Sequence, residues 1–360
     1  MKYFFILFFL SVKVHAFPEM IRHGYVNCTT CHVSPNGGGV LTPYGKGISE
    51  ELQSTWGKEG EGNLLHGAVK PPEWLHVGGN VRAIQVVRNT PSQWSGNFFF
   101  MQADLEAYAT VKQFTFGGTL GYMGGPPSYF PLFSRRHFVM YQPSESFFFR
   151  AGRFQQAYGL NVAEHQLFIR KGLGWDQDTE TYNLEGAYIT DKWEAFLTAN
   201  FGRFDMPLMN RETGFGVRGA RAIGDHYKVG VNYAYLWNSL TNRHLMGFYG
   251  VLGFTANFYL LTEADFQYAT TAGIGAWGFI NYLKVDYEFF KGFHAFLLQE
   301  LTNKDLKNLN KLGESYGIGI QFFPRPHFDL QLVYEKSRAM NNGNSDFFID
   351  YAFLILHYYL

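Results

Sequence analysis

The feature that most narrows the folds open to this chain is a period-two alternation of apolar and polar residues from Trp74 to the C-terminus, recurring in segments of about ten residues between turn signals. Successive side chains of a strand point to opposite faces, so each such segment reads as a strand with one apolar and one polar face. Between Lys192 and Asn200, Trp193, Ala195, Leu197 and Ala199 share one face, and Lys192, Glu194, Thr198 and Asn200 share the other. Phe99, Met101, Ala103, Leu105 and Ala107 likewise alternate with Phe100, Gln102, Asp104 and Glu106. Trp277, Phe279, Leu283, Val285 and Tyr287 oppose Lys284, Asp286 and Glu288, and Phe328, Leu330, Leu332 and Tyr334 oppose Asp329, Gln331 and Glu335.

The connections alternate too. Short turns are expected near Thr110-Val111, Pro143-Ser144-Glu145, Thr190-Asp191, Gly224-Asp225, Thr255-Ala256, Lys291-Gly292 and Pro324-Arg325. Longer loops are expected around residues 88–96, 123–135, 154–178, 203–213, 238–243, 268–274, 303–313 and 337–346. Brief turns at one end, longer loops at the other and roughly sixteen segments predict an all-β protein, a closed transmembrane antiparallel β-barrel over residues 74–360. A soluble β-sandwich also alternates, but it gives little reason for 19% aromatic residues, with 37 Phe and 23 Tyr, on the face opposite the acids. Past the N-terminus no apolar run reaches the roughly 20 residues of a membrane-spanning helix. A formal net charge of zero removes the electrostatic case for binding nucleic acid.

On these segments the chain resembles outer-membrane porins of Gram-negative bacteria over about four-fifths of its length. Phe149-Arg150-Ala151-Gly152-Arg153-Phe154, then Ala157-Tyr158-Gly159-Leu160 and His165, is similar to the passage from strand to loop in porin-like proteins. The closing alternation Ala352, Leu354, Leu356, Tyr358 and Leu360 resembles the C-terminal signal read by the barrel assembly machinery, although it ends on Leu360 where Phe or Trp is usual. The resemblance implies residence in the lipid bilayer of the outer membrane, with assembly by that machinery and an oligomer compatible with the pattern. It says little about what such a barrel would carry.

The first residues have another character. Lys2, the apolar run Tyr3 to Leu10 and the small-x-small pattern Val14-His15-Ala16 read as a secretory signal peptide over residues 1–16. Residues 17–73 then hold Cys28-Thr29-Thr30-Cys31-His32, whose C-x-x-C-H spacing is that of covalent attachment of one haem c. Cys28 and Cys31 would each bond a vinyl group and His32 would reach the iron, and both cysteines of the chain are used there. A disulfide or redox pair and a zinc site are the alternatives; the second Cys pair of a zinc site and the βαβ setting of a redox motif are both missing from the pattern. For the sixth iron ligand the residues offer Met20, His23, His66 and His76.

After the motif, Ser34-Pro35-Asn36-Gly37-Gly38-Gly39 suits backbone that must turn sharply or approach a porphyrin face. A phosphate loop is ruled out, because Val40 and Gly47 stand where it needs Gly and Ser or Thr. A short helix is expected from Thr42 to Trp56, and Lys58 to Gly62 read as a linker. A module of this size is too small for an ample core, so it would lean on the haem or on the barrel.

Joined together, a haem module on the periplasmic side of a barrel looks like a one-chain version of the porin-cytochrome conduits. That resemblance implies electron transfer at or across the outer membrane with a periplasmic or surface cytochrome as redox partner, since one haem cannot bridge a hydrocarbon core of about 25–30 Å. A diffusion or substrate-selective porin gated or plugged by the haem module is the second reading. Asp104, Glu106, Glu194, Asp286, Glu288 and Asp329, with Arg150 and Arg218, would then line the lumen as solvated groups. A haem enzyme such as a peroxidase is third and lacks a catalytic constellation, so the expectation is a protein that is not an enzyme.

Overall fold

The computed structural model describes residues 18–123, 132–164, 166–176, 178–308, 310, 312–338 and 347–360. The expected signal peptide and His165 lie outside them. Among the described residues seventeen strand segments form one closed sheet: β1 (Leu75–Asn89), β2 (Trp94–Val111), β3 (Phe114–Met123), β4 (Leu132–Phe133), β5 (His137–Tyr141), β6 (Phe147–Phe154), β7 (Thr181–Ile189), β8 (Trp193–Asn200), β9 (Thr213–Ile223), β10 (Tyr227–Trp237), β11 (Thr241–Gly253), β12 (Phe258–Thr271), β13 (Ile274–Phe290), β14 (Phe293–Asn303), β15 (Leu312–Phe322), β16 (Phe328–Arg338) and β17 (Ile349–Tyr359). β4 and β5 both pair with β3, so they are two pieces of one stave and the barrel has sixteen. Antiparallel pairing of β1 with β17, through Ala83 opposite Leu356, closes it as an even number of antiparallel staves requires.

The alternation sets the wall. Along β8, Trp193, Ala195 and Leu197 face out while Glu194, Phe196, Thr198 and Asn200 are buried inside. β2 shows where the sequence pattern loses phase: Arg82 pairs with Gln102 but Ala83 pairs with Phe100, leaving Met101 as an extra residue. A bulge of this kind flips the faces beyond it. Phe100, expected on the polar face, therefore points outward with Phe98, their rings 6.1 Å apart.

Several connections read as long loops are tight hairpins instead. Only Thr90 to Gln93 separate β1 from β2, closed by mutual backbone bonds between Thr90 and Gln93, and only Ala272 and Gly273 separate β12 from β13. Both residues of that second turn have positive φ, which suits the twist of a two-residue hairpin.

The inner face also departs from the expected polar lining. Leu245, Tyr249, Val251, Tyr259, Leu261, Ile280 and Tyr282 on β11 to β13 are buried inside the barrel in one apolar cluster. Their partners are Ile21 from the N-terminal segment and Tyr158, Leu160, Leu167, Ile169, Leu173 and Trp175 from the connection between β6 and β7, which folds into the lumen. Polar pins hold that connection: the Leu160 amide donates to Glu263 at 2.6 Å, the Tyr158 hydroxyl to Asp265 at 2.9 Å and the Phe168 amide to Glu300 at 2.5 Å.

Candidate functional site in the barrel lumen

The N-terminal segment, residues 18–62, sits inside the barrel at the end where the short turns lie. Arg22 donates to Ala256 O in the β11–β12 turn at 3.0 Å, Asn27 to Thr190 O in the β7–β8 turn at 3.0 Å, and Thr55 to Lys291 O in the β13–β14 turn at 2.7 Å. The Thr55 and Trp56 amides donate to Phe323 O and Pro324 O between β15 and β16, where Arg325 also bonds Glu61 at 3.0 Å. Lys58 to Gly62 are thus a fixed turn and not a free linker, with the Glu50 carboxylate accepting from the Gly60 and Gly62 amides. Further in, Arg22 meets Glu288 at 2.5 Å, Ser49 shares a hydrogen bond with Tyr359 at 3.0 Å, and Arg150 reaches Ser34 and Asn36 at 2.9 and 3.2 Å while pairing with Glu185 at 2.8 Å.

These contacts change the reading of the inward acids. Asp104, Glu106, Glu194, Asp286, Glu288 and Asp329, with Arg150 and Arg218, do point into the barrel, but all eight are buried and none is a solvated pore-lining group. Asp104 pairs with Arg135, Glu106 with Arg136, Asp286 with His294, and Asp329 accepts from Gln321 and Gln331. Glu194 is shared by Arg218 and Lys228, and Lys228 also donates to the Val26 carbonyl of the segment.

The motif itself lies within this packing. Cys28–Thr30 forms one 3-10 turn in which the Cys31 and His32 amides both donate to Cys28 O, at 3.1 and 2.9 Å. His32 then bridges Leu41, which sends the chain back on itself through Gly37, Gly38 and Gly39 at φ +82°, +74° and +69°. Three consecutive left-handed residues are open only to glycine at acceptable cost. Side chains there would collide as well, because a Cβ on Gly37 would lie 3.2 Å from Cys28 Sγ and one on Gly39 would lie 2.9 Å from Glu106. The following helix α1 (Pro43–Ile48) is capped by Thr42, whose hydroxyl accepts from the Gly45 amide at 3.0 Å, and it gives way to a wider turn at Ser49–Gln53. The helix is shorter than the expected Thr42 to Trp56.

Two cavities flank the motif. The larger, about 210 Å³, is walled by His32 and the glycine run, by Arg82, Arg135, Arg136 and Arg150 from the barrel, and by Asn161 and Arg170 of the infolded connection. The smaller, about 50 Å³, is walled by Cys28 and His32 with Arg218, Lys228 and Tyr249. Among the described residues neither Cys28 nor Cys31 is in a disulfide. Cys28 opens on the smaller cavity, and burial pushes its thiol above the usual range against the pull of Lys228. Cys31 is fully buried beneath α1, so close to Gly45 that a Cβ there would lie 2.5 Å from Cys31 O. Among the described residues no group of three or more His, Cys, Asp or Glu side chains is arranged to hold a bare metal ion.

None of the four sequence candidates for a sixth iron ligand lines either cavity. Met20 packs with Tyr25 and Ile48. His23 lies beside Arg22, and His66 sits at the barrel rim against Phe328, with ring centroids 6.1 Å apart. His76 belongs to β1, opposite Tyr108. The sequence reading missed Arg82, Arg135, Arg136 and Arg170; the adjacent pair Arg135-Arg136 in a loop was the signal available for them.

Two histidines at the seam between segment and barrel are held neutral. Burial, then Arg22, pulls His23 down from 6.5 to about 4, and burial does the same to His327, whose Nε2 contacts Gly62 O at 2.9 Å. A depressed folded-state value means that the released chain binds the proton first, so stability is lost as pH falls from 6.5 towards 4. Protease cleavage of the segment in detergent-solubilised protein is therefore expected to accelerate over this interval by on the order of tenfold for each unit of linkage, and His327→Phe should flatten the profile. A profile unchanged in that variant would remove His327 from the seam.

No family model matches this chain, and no curated protein matches it by sequence. Solved structures do. An anion-selective porin from Comamonas acidovorans superposes with a TM-score of 0.63 at 11% identity, covering 79% of this chain and 99% of that one. The outer-membrane expressed OmpT of Vibrio cholerae gives 0.61 at 10% identity over 81% and 100%, and the outer membrane channel DcaP of Acinetobacter baumannii gives 0.57 at 10% over 79% and 97%. The fold is thus the sixteen-stave barrel of outer-membrane porins.

Proposed function

We propose that this chain is an outer-membrane protein of the porin fold whose pore is filled by its own N-terminal segment, and that this segment carries one haem c on Cys28, Cys31 and His32. The observation that carries the reading is that Cys28 and His32 open on cavities walled jointly by the segment and the barrel. The outward face supports the location: Phe98, Leu105, Leu120, Leu197, Phe248, Leu297 and Ile318 are all exposed around the wall. A soluble protein has no use for so extensive an apolar belt, whereas lipid matches it.

The donor set fits a covalently held haem. Two cysteines with two residues between them, not joined in a disulfide, are followed directly by an imidazole, and cationic groups stand near for the acid groups of a porphyrin. The larger cavity is below the roughly 300–1,000 Å³ usual for ligand pockets, and long arginine side chains are among the groups that narrow it. Cys31 is the less ready partner, being closed off under α1. Each thiol would add across one vinyl double bond, sulfur to one carbon and hydrogen to the other, so the attachment consumes no oxidant. When bound, haem supplies a reversible one-electron couple.

A filled lumen supports a plugged or gated pore more directly than free diffusion of solutes. Electron transfer is the second reading, favoured by the depth of His32 inside the wall, and it needs a redox partner because one haem does not span an apolar band of about 25 Å. A haem stain on denaturing gels, with reduced and oxidised optical spectra of the purified protein, tests the reading. Stain-negative, colourless protein from a host competent in c-type haem attachment would overturn it. Because Met20, His23, His66 and His76 line neither cavity, replacing each singly is expected to leave the spectrum unchanged. One replacement that turns the iron high-spin would identify the opposite ligand and show that the segment rearranges on attachment.

A further inference from the structure

Six cationic side chains line the larger cavity, and four of them have acid partners. Arg135 lies 3.4 Å from Asp104 and 2.9 Å from Asp178, Arg136 3.3 Å from Glu106, Arg150 2.8 Å from Glu185, and Lys284 3.8 Å from Asp286. Arg82 and Arg170 form no ion pair among the described residues. Among the described residues Arg82 donates to the Ala163 carbonyl, at 2.9 Å. The Nε of each is buried without a hydrogen-bond partner. Glu164, Glu180 and Asp329 line the same cavity without pairing with either of them.

A half-buried arginine with no ion pair and an unpartnered Nε has donors to spare, and a bidentate carboxylate is the partner that its planar fork fits best. Two such arginines facing one cavity call for a ligand with two carboxylates. Arg82 stands on β1 and Arg170 on the turn Phe168–Gly172 of the infolded connection, whereas His32 comes from the N-terminal segment. Three separate parts of the chain thus meet at one cavity. We propose that Arg82 and Arg170 receive the two propionate carboxylates of the haem attached at Cys28, Cys31 and His32. This rests on the haem reading above. It adds that the arginines fix the orientation of the group and tie the infolded connection to the segment.

The test uses the full-length, haem-loaded protein. Arg82→Gln and Arg170→Gln, singly and together, should leave haem staining unchanged. They should lower the midpoint potential, because loss of positive charge near the iron favours the ferric state; in the double variant the reduction equilibrium should fall by about tenfold or more. Arg82→Lys with Arg170→Lys should keep most of the potential, and Arg203→Gln, at a half-buried residue bound to Asp205 that does not line the cavity, should not change it. The second readout is thermal. In loaded protein the double Gln variant should lower the unfolding midpoint, and in the haem-free Cys28→Ala/Cys31→Ala protein it should raise it or leave it in place. Haem that attaches with potential and midpoint both indifferent to the two arginines overturns this inference alone, and wild-type protein without haem overturns both. A dicarboxylate such as adipate that stabilises the haem-free protein only when both arginines are present, with the haem potential indifferent, would assign the site to a solute and also overturn the proposal.

Discussion

Protein carrying Cys28→Ala together with Cys31→Ala is expected to lose covalent haem completely while still migrating as a heat-modifiable barrel. The chemistry is local: with no thiol left, the haem has no covalent bond to the chain, and His32 alone gives a bond that denaturation breaks. The wall does not depend on the motif, since its backbone hydrogen bonds run from stave to stave and close through β1 and β17. The segment is anchored by Arg22 to Glu288, Ser49 to Tyr359 and Arg150 to Ser34 and Asn36, none of which involves a thiol. Loss of the buried Cys31 sulfur leaves a small void, worth roughly 1 kcal/mol and too little to unseat those contacts. Haem staining that survives both substitutions would sink the attachment.

The wall was legible in the sequence because period two is set by the strand itself: whichever residues alternate must part to opposite faces. The phase slip at Met101 was not legible, since an extra residue in one strand is defined only against its partner, here the step from Arg82 to Ala83. Hairpin lengths failed for a related reason. The stretches 88–96 and 268–274 carry turn residues, yet the strands simply continue to the last pair that can bond.

The inward acids were legible as inward, but not as covered. Glu288 meets an arginine 266 positions away in sequence, and no local pattern encodes such a partner. The apolar inner faces of β11 to β13 carried the missing hint: Leu245, Leu261, Ile280 and Tyr282 alternate onto the side that an open aqueous pore would keep polar, so something had to pack against them. For Cys28, Cys31 and His32 the spacing gave the chemistry at once. Their position inside the lumen, beside five arginines from distant stretches, belongs to the fold and not to the motif.

Removing residues 18–62 while keeping residues 1–17 is expected to convert a closed barrel into a conducting one. A sixteen-stave barrel is wide enough to leave an aqueous channel when nothing fills it. What fills this one is the segment on the short-turn side and the infolded connection beyond it. The connection keeps its own pins to Glu263, Asp265 and Glu300, so it should stay folded as a constriction when the segment is gone. Glu288 would lose Arg22 and turn to water, while Glu194 would keep Arg218 and Lys228, which loses only its bond to the Val26 carbonyl. In planar bilayers the full chain should therefore show little conductance and the shortened chain at least on the order of tenfold more. Should the shortened chain fail to fold, Arg22→Met with Ser49→Ala weakens the seat without removing it and should give brief openings instead. Equal conductance in the full and shortened chains, or a full chain already conducting at the level of an open porin, would mean that the segment does not close the pore.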